Sequence, residues 1–117
     1  VLAVKEVVVL AAAPRQSSRW LADVVEAPAE DVEGGVRFTV ENCAIRILEP
    51  EHYAQEFGDI VSPNADRLTA RTVVFRTGDL AVTEITLAAN DVAFIRRGGR
   101  VLVSPARGQG VMFGFEE

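Results

Sequence analysis

The side chains in this chain with the most chemistry to offer are three arginines set in alternating segments. Arg37 lies in Val36-Arg37-Phe38-Thr39-Val40, Arg46 in Ala44-Ile45-Arg46-Ile47-Leu48, and Arg76 at the end of Thr72-Val73-Val74-Phe75-Arg76. Arginine's planar fork matches carboxylates and phosphates bidentately, so the chemistry open to them is capture of an anionic or carbonyl-bearing small molecule. The plainer alternative is the wet side of an amphipathic sheet, ion-paired to Glu6, Glu41 or Glu116. His52 beside Tyr53 has the types for acid-base work, since a histidine near its unperturbed pKa of about 6.5 transfers protons readily. The spacing fixes no nucleophile or orienting carboxylate beside it, so surface or capping duty is expected. Cys43 has no neighbouring His or Lys to lower its pKa and reads as an ordinary thiol. Gly108-Gln109-Gly110 has neither the spacing nor the following helix of a phosphate cradle.

These residues sit in a chain that repeats itself. Lys5-Glu6-Val7-Val8-Val9-Leu10, a helical stretch and Gly34-Gly35-Val36 recur as Arg71-Thr72-Val73-Val74-Phe75-Arg76, a second helical stretch and Gly98-Gly99-Arg100. A strand-helix-glycine pair-strand unit returning roughly 65 residues later predicts two half-domains packed into one. Val4 to Ala11 reads as a central strand. Pro14 opens a helix whose Trp20, Leu21, Val24 and Val25 form an apolar side, with Trp20 an anchor into the sheet. Ala27 to Gly35 reads as a solvated connection. Val36 to Val40 and Ala44 to Leu48 form a hairpin, and Pro50 to Gly58 has room for one or two helical turns. Ile60 to Asp66 is the most linker-like stretch and divides a first module (about 3–60) from a second (about 68–117). There the spacing predicts a strand over Ala70 to Thr77 and a helix over Leu80 to Asn90, N-capped by Asp79 and with αL geometry near Asn90. Strands over Phe94 to Arg97, Arg100 to Ser104 and Gly110 to Glu116 follow, the first two joined by a tight turn at Gly98-Gly99.

Composition narrows the classes. A chain of 117 residues suits one domain, and no apolar run approaches the roughly 20 residues of a membrane span. The net charge of −5 with scattered basic residues argues against a nucleic-acid binder. The lone cysteine excludes an intrachain disulfide and fits a reducing compartment, so the cytoplasm is the expected location. The chain opens at Val1 without a methionine or signal-peptide pattern, and reads as part of a longer or processed protein.

The two tandem units, the phrase Val74-Phe75-Arg76-Thr77-Gly78-Asp79-Leu80, Leu87-Ala88-Ala89-Asn90-Asp91-Val92 and the closing Gly110-Val111-Met112-Phe113-Gly114-Phe115-Glu116 resemble the vicinal oxygen chelate superfamily, the glyoxalase-like proteins. The resemblance implies an α+β fold of two tandem βαβββ modules, curved mixed sheets around a central cavity, and helices outside. In the first module the segment around His52-Tyr53 stands where a fourth strand is expected. Strand alternation then aims Glu6, Val8, Thr72, Val74, Arg76, Met112 and Gly114 at the cavity, joined by Arg37, Thr39 and Arg46.

Where this family uses a metal, the resemblance places its ligands on the first and last strands of each half. They fall at Glu6, Thr72 and Gly114, with the first half's closing position unplaced. A divalent ion needs oxygen or imidazole donors; Glu6 offers one, Thr72 a poor one and Gly114 none. Glu116 would replace Gly114 only after a two-residue slip. No metal or other cofactor is expected, Glu6 and Glu116 being the weak candidates. The resulting expectation is a glyoxalase-like domain with a degenerate metal site that binds a small molecule between the sheets. The alternatives are a metal-dependent lyase, isomerase or dioxygenase, and a structural or dimerisation module, with homodimer pairing left open.

Overall fold

The computed structural model describes residues 3–58, 69–104 and 111–117. The apolar, β-branched run predicted as the first strand is β1 (Ala3–Leu10), and its counterpart is β5 (Thr69–Arg76). The two lie side by side and antiparallel, with Val7 opposite Val73, Glu6 opposite Val74 and Val8 opposite Thr72. On the far side of β1 runs β4 (Cys43–Leu48), parallel to it, then β3 (Gly35–Val40) and β2 (Glu30–Val32). On the far side of β5 runs β8 (Met112–Glu116), also parallel, then β7 (Arg100–Val103) and β6 (Ile95–Arg97). One mixed eight-stranded sheet results, in the order β2-β3-β4-β1-β5-β8-β7-β6. Each half is a βαβββ unit.

The turns follow from their residues. Gly98 and Gly99 both take positive φ, 58° and 79°, between the paired ends Arg97 and Arg100. At the β2-β3 turn Gly34 has φ 82°, and a Cβ there would come within 2.2 Å of the His52 ring. Only glycine lets that turn close under the histidine. Asp79 caps α4 (Leu80–Ala89) as expected, its carboxylate accepting from the N–H of Ala81 at 2.8 Å and of Val82 at 3.4 Å.

Several expectations need correction. The first helix is two short pieces, α1 (Pro14–Ser17) and α2 (Leu21–Val25), because the chain turns between Ser18 and Trp20. The turn swings Trp20 and Val24 outward, 55% and 68% exposed, so Trp20 is no anchor. Leu21, Ala22 and Val25 pack instead on Val36, Phe38 and Ile47. The connection before Gly35 contains β2, whose Glu-Asp-Val sequence carries no strand signal. That strand, and not the His52-Tyr53 segment, completes the first unit. Asn90 has φ −102°, and the left-handed residue is Asp91 at 58°. The Ile60 to Asp66 boundary and Gly108-Gln109-Gly110 lie outside the described residues.

The outer face of the sheet meets α1 and α2 in the first half and α4 in the second. Across the inner face lies α3 (Pro50–Phe57). Its Tyr53 and Phe57, at i and i+4 on one side of the helix, are 0% and 1% exposed. They join Val8, Leu10, Leu48, Val74, Leu102 and Met112, from strands of both halves, in one core. Phe57→Ala is expected to cost about 3–5 kcal/mol of stability, measurable as a lowered urea midpoint with an unchanged slope.

Candidate functional site

The same helix that buries Tyr53 and Phe57 carries His52 and Glu56 on a neighbouring face, again at i and i+4. Pro50 pre-sets its first turn, and Gly58 at φ 73° ends it with an N–H bond to the Ala54 carbonyl. Arg97 of β6 donates to the carbonyls of Gln55 at 2.8 Å and Glu56 at 3.2 Å, satisfying groups a helix end leaves unpaired. With the helix so fixed, Glu56 sits between two arginines, one from each half. Arg46 Nη1 donates to it at 2.7 Å, with a second bond from Nη2, and Arg100 Nη1 donates at 2.8 Å. Arg46 also donates from Nε, at 3.2 Å, and Nη2, at 2.9 Å, to one oxygen of Glu6. Arg100 Nε donates at 2.5 Å to Glu116, which accepts from Lys5 as well.

The sequence of contacts, Lys5-Glu116-Arg100-Glu56-Arg46-Glu6, alternates in sign throughout and is neutral. The Phe57 ring lies beneath both guanidinium groups, 5.0 Å from Arg100 and 6.0 Å from Arg46 at its centroid. Burial alone would raise the pKa of Glu56, but the hydrogen bonds and charges of Arg46 and Arg100 overcome it and hold the group at about 2, against an ordinary 4.5. Burial likewise opposes, and Lys5 and Arg100 reverse, the shift of Glu116, which ends below its usual value. His52 Nε2 is 3.4 Å from Glu56. Cys43 is pushed upward, by burial first and the Glu6 charge second, which keeps the thiol protonated and unreactive.

Beside this network the inner face holds two adjoining open hollows. One of about 350 Å³ is walled by the network, Arg37 and His52. The other, of about 530 Å³, shares Lys5 and Arg37 and adds Thr39, Glu41, Asn42 and Arg76. The sequence candidates divide accordingly. Glu6, Arg37 and Arg46 line the first hollow, and Arg37, Thr39 and Arg76 the second. Thr72, Val74, Met112 and Gly114 are buried. The Thr72 hydroxyl is 2.6 Å from that of Tyr53. Of the partners expected for the arginines, Glu6 serves Arg46, while Arg37 turns to Glu30 at 2.9 Å. Sequence reasoning missed Lys5, Glu56 and Arg100. The i, i+4 pair His52 and Glu56 was a usable signal for the helix face, whereas nothing local connects Arg100 to either.

No protein-family model and no curated protein sequence matches the chain. Its fold does match solved structures. Hypothetical protein BH1468 from Bacillus halodurans superposes with a TM-score of 0.67 at 14% identity, over 97% of this chain and 93% of that one. Methylmalonyl-CoA epimerase from Mycobacterium tuberculosis gives 0.63 at 15%, over 98% and 88%. A methylmalonyl-CoA epimerase in complex with methylmalonyl-CoA and NH4+ gives 0.68 at 12%, over 98% and 94%. This is the vicinal oxygen chelate fold.

The register extends to a fourth the three metal positions that the sequence resemblance implied. Val7 facing Val73 makes Glu6 the counterpart of Thr72 and Val8 that of Val74. Val8 pairs with Arg46 on β4, and Val74 with Gly114 on β8, so Arg46 is the counterpart of Gly114. The four positions therefore hold Glu6, Arg46, Thr72 and Gly114. A guanidinium replaces one donor and is bonded to the only carboxylate. Thr72 is engaged by Tyr53, and a Cβ at Gly114 would already touch Leu102 at 3.4 Å and Val74 at 3.5 Å. Glu116 is paired with Arg76 in register, two residues beyond Gly114, and is committed to Lys5 and Arg100. Among the described residues no three His, Cys, Asp or Glu side chains are grouped for a metal. This donor set does not fit a divalent ion of the vicinal oxygen chelate type.

A carboxylate whose folded pKa is depressed adds stability above its unfolded pKa and loses it as pH falls through the folded one. For Glu56 that window runs from about pH 4.5 down to about 2. Glu56→Gln should be less stable at neutral pH by about 1–3 kcal/mol and should unfold with a flatter acid limb. Thermal unfolding at stepped pH checks this, and an acid limb as steep as wild type would remove Glu56 from the role.

Proposed function

We propose that this chain is a small-molecule-binding domain of the glyoxalase type that works without a divalent metal, its ligand seated in the hollow beside the Glu56 network. The observation that carries the reading is Arg46 at the fourth metal position, bonded to Glu6. A tethered cation supplies the positive charge there, and it neither exchanges nor acts as a Lewis acid. The surrounding walls supply what a polar ligand needs: donors from Arg37, Arg100 and His52, and acceptors from Glu6 and Glu116.

The likeness to methylmalonyl-CoA epimerase favours a second reading, an isomerase acting on a carboxylated acyl thioester. Its metal-dependent form conflicts with the donors described above. An expected location inside the cell and an expected homodimer belong to the proposal as well.

Isothermal titration with malonate separates the readings. Binding should be equal before and after dialysis against EDTA, and His52→Ala should weaken it severalfold with little change in melting temperature. Affinity that appears only on adding zinc, manganese or cobalt would sink the metal-free reading.

A further inference from the structure

The second hollow has a different electrical character from the first. Three cations, Lys5, Arg37 and Arg76, line it against one carboxylate, Glu41. The compensation they find is outside it: Lys5 bonds Glu116 and Arg37 bonds Glu30, neither of which lines the hollow. Arg76 is exposed at the end of β5, and its guanidinium makes no hydrogen bond or ion pair among the described residues. In a chain of net charge −5 this is a local concentration of positive charge.

A second observation concerns Arg37, one of the residues that line it. The Nε–H of Arg37 is buried and has no hydrogen-bond partner among the described residues, although the same guanidinium donates from Nη2 to Glu30. Buried N–H groups are nearly always paired, and this one shows that the Arg37 guanidinium is not saturated by its own acceptor, Glu30. The acceptor that suits the hollow carries negative charge and several oxygens, because the Arg37 and Arg76 guanidinium groups and the Lys5 ammonium together present more donors than one neutral carbonyl can use. The Thr39 hydroxyl and the Asn42 amide, on the β3-β4 hairpin, line the same space with further polar groups.

We propose that this hollow is an oxyanion subsite, binding the phosphate or carboxylate end of a ligand through Arg37 and Arg76. The inference rests on the small-molecule reading above and extends it. The ligand is an elongated molecule with a polar group beside the Glu56 network and an anionic group roughly one side chain away, past the shared Lys5 and Arg37. The two hollows have different tasks: the neutral network selects shape and hydrogen bonding, and the positive one supplies charge attraction.

Arginine Nε–H signals in nitrogen-proton correlation spectra report on the guanidinium groups that line the subsite. Inorganic phosphate added to the ¹⁵N-labelled chain should move the Arg37 Nε–H signal saturably, and Arg37→Lys identifies that signal by its loss. Arg76→Glu should weaken the phosphate response at least tenfold without changing the melting temperature, whereas Arg19→Glu, an exposed change outside the hollow, should leave it as in wild type. Acetate and malonate titrated in the same way tell a carboxylate from a phosphate, and a response to either class that Arg76→Glu weakens supports the subsite, because Arg76 lines this hollow and not the first. An Arg37 signal that ignores every oxyanion, or equal responses in the Arg76 and Arg19 variants, overturns it. Malonate binding that survives EDTA beside a silent Arg37 keeps the metal-free reading and loses the subsite. A phosphate response beside metal-dependent malonate binding does the reverse.

Discussion

Glu56 shared between Arg46 and Arg100 is the contact on which the remaining arrangement depends. It lies on α3, which belongs to neither βαβββ unit, and it is held by one arginine from each. A part-buried carboxylate is tolerable only if its charge is matched, and a part-buried guanidinium only if its donors are used. Each member of the alternating chain from Lys5 to Glu6 meets this condition for its neighbours. The geometry is therefore mutual: moving either half of the sheet, or lifting α3, would strand charges of both signs. Phe57 under the two guanidinium groups adds an apolar version of the same bond, because its burial also needs strands from both halves.

That clamp divides the inner face into a dry part and a wet part. Beneath α3, Tyr53 and Phe57 complete a core with Val8, Val74 and Met112, and Thr72 spends its hydroxyl on Tyr53. Beyond the helix the strand alternation continues to present inward-facing residues, and these are Glu6, Arg37, Arg46, Thr39 and Arg76. The period of two decides which residues face inward, and the position of α3 decides which of them meet solvent. The expected cavity floor of Thr72, Val74, Met112 and Gly114 is instead buried and lines neither hollow.

Much of the fold was legible because it follows from local signals. The β-branched runs gave β1 and β5, Asp79 gave the start of α4, and Gly98-Gly99 gave the β6-β7 turn. Trp20 misled because hydrophobic spacing assumes one continuous helix, and the turn after Ser17 breaks the phase. The acidic strand β2 was invisible because an edge strand with few buried residues needs no alternation. The network's Arg100 and Glu56, 44 residues apart in sequence, are brought together by α3 crossing the sheet. Spacing cannot report a contact made by tertiary crossing. The unplaced fourth metal position had the same cause, since it became readable only from the pairing of β4 with β1.

The bonds of Arg46 also decide which donors of the inner face are left unspent. A divalent ion at the centre of the inner face would be held by donors and would keep a coordination place open for a ligand. A guanidinium there is held by acceptors, and the Nε and both terminal nitrogens of Arg46 are already bonded to Glu6 and Glu56. It completes the charge balance and has little left to offer. Arg46 thus acts as a structural tie at the centre of the inner face. Unspent donors must then be sought where the alternating chain ends, and Arg37, with Nε unpaired, and Arg76, with no acidic neighbour bonded, are the cations found there.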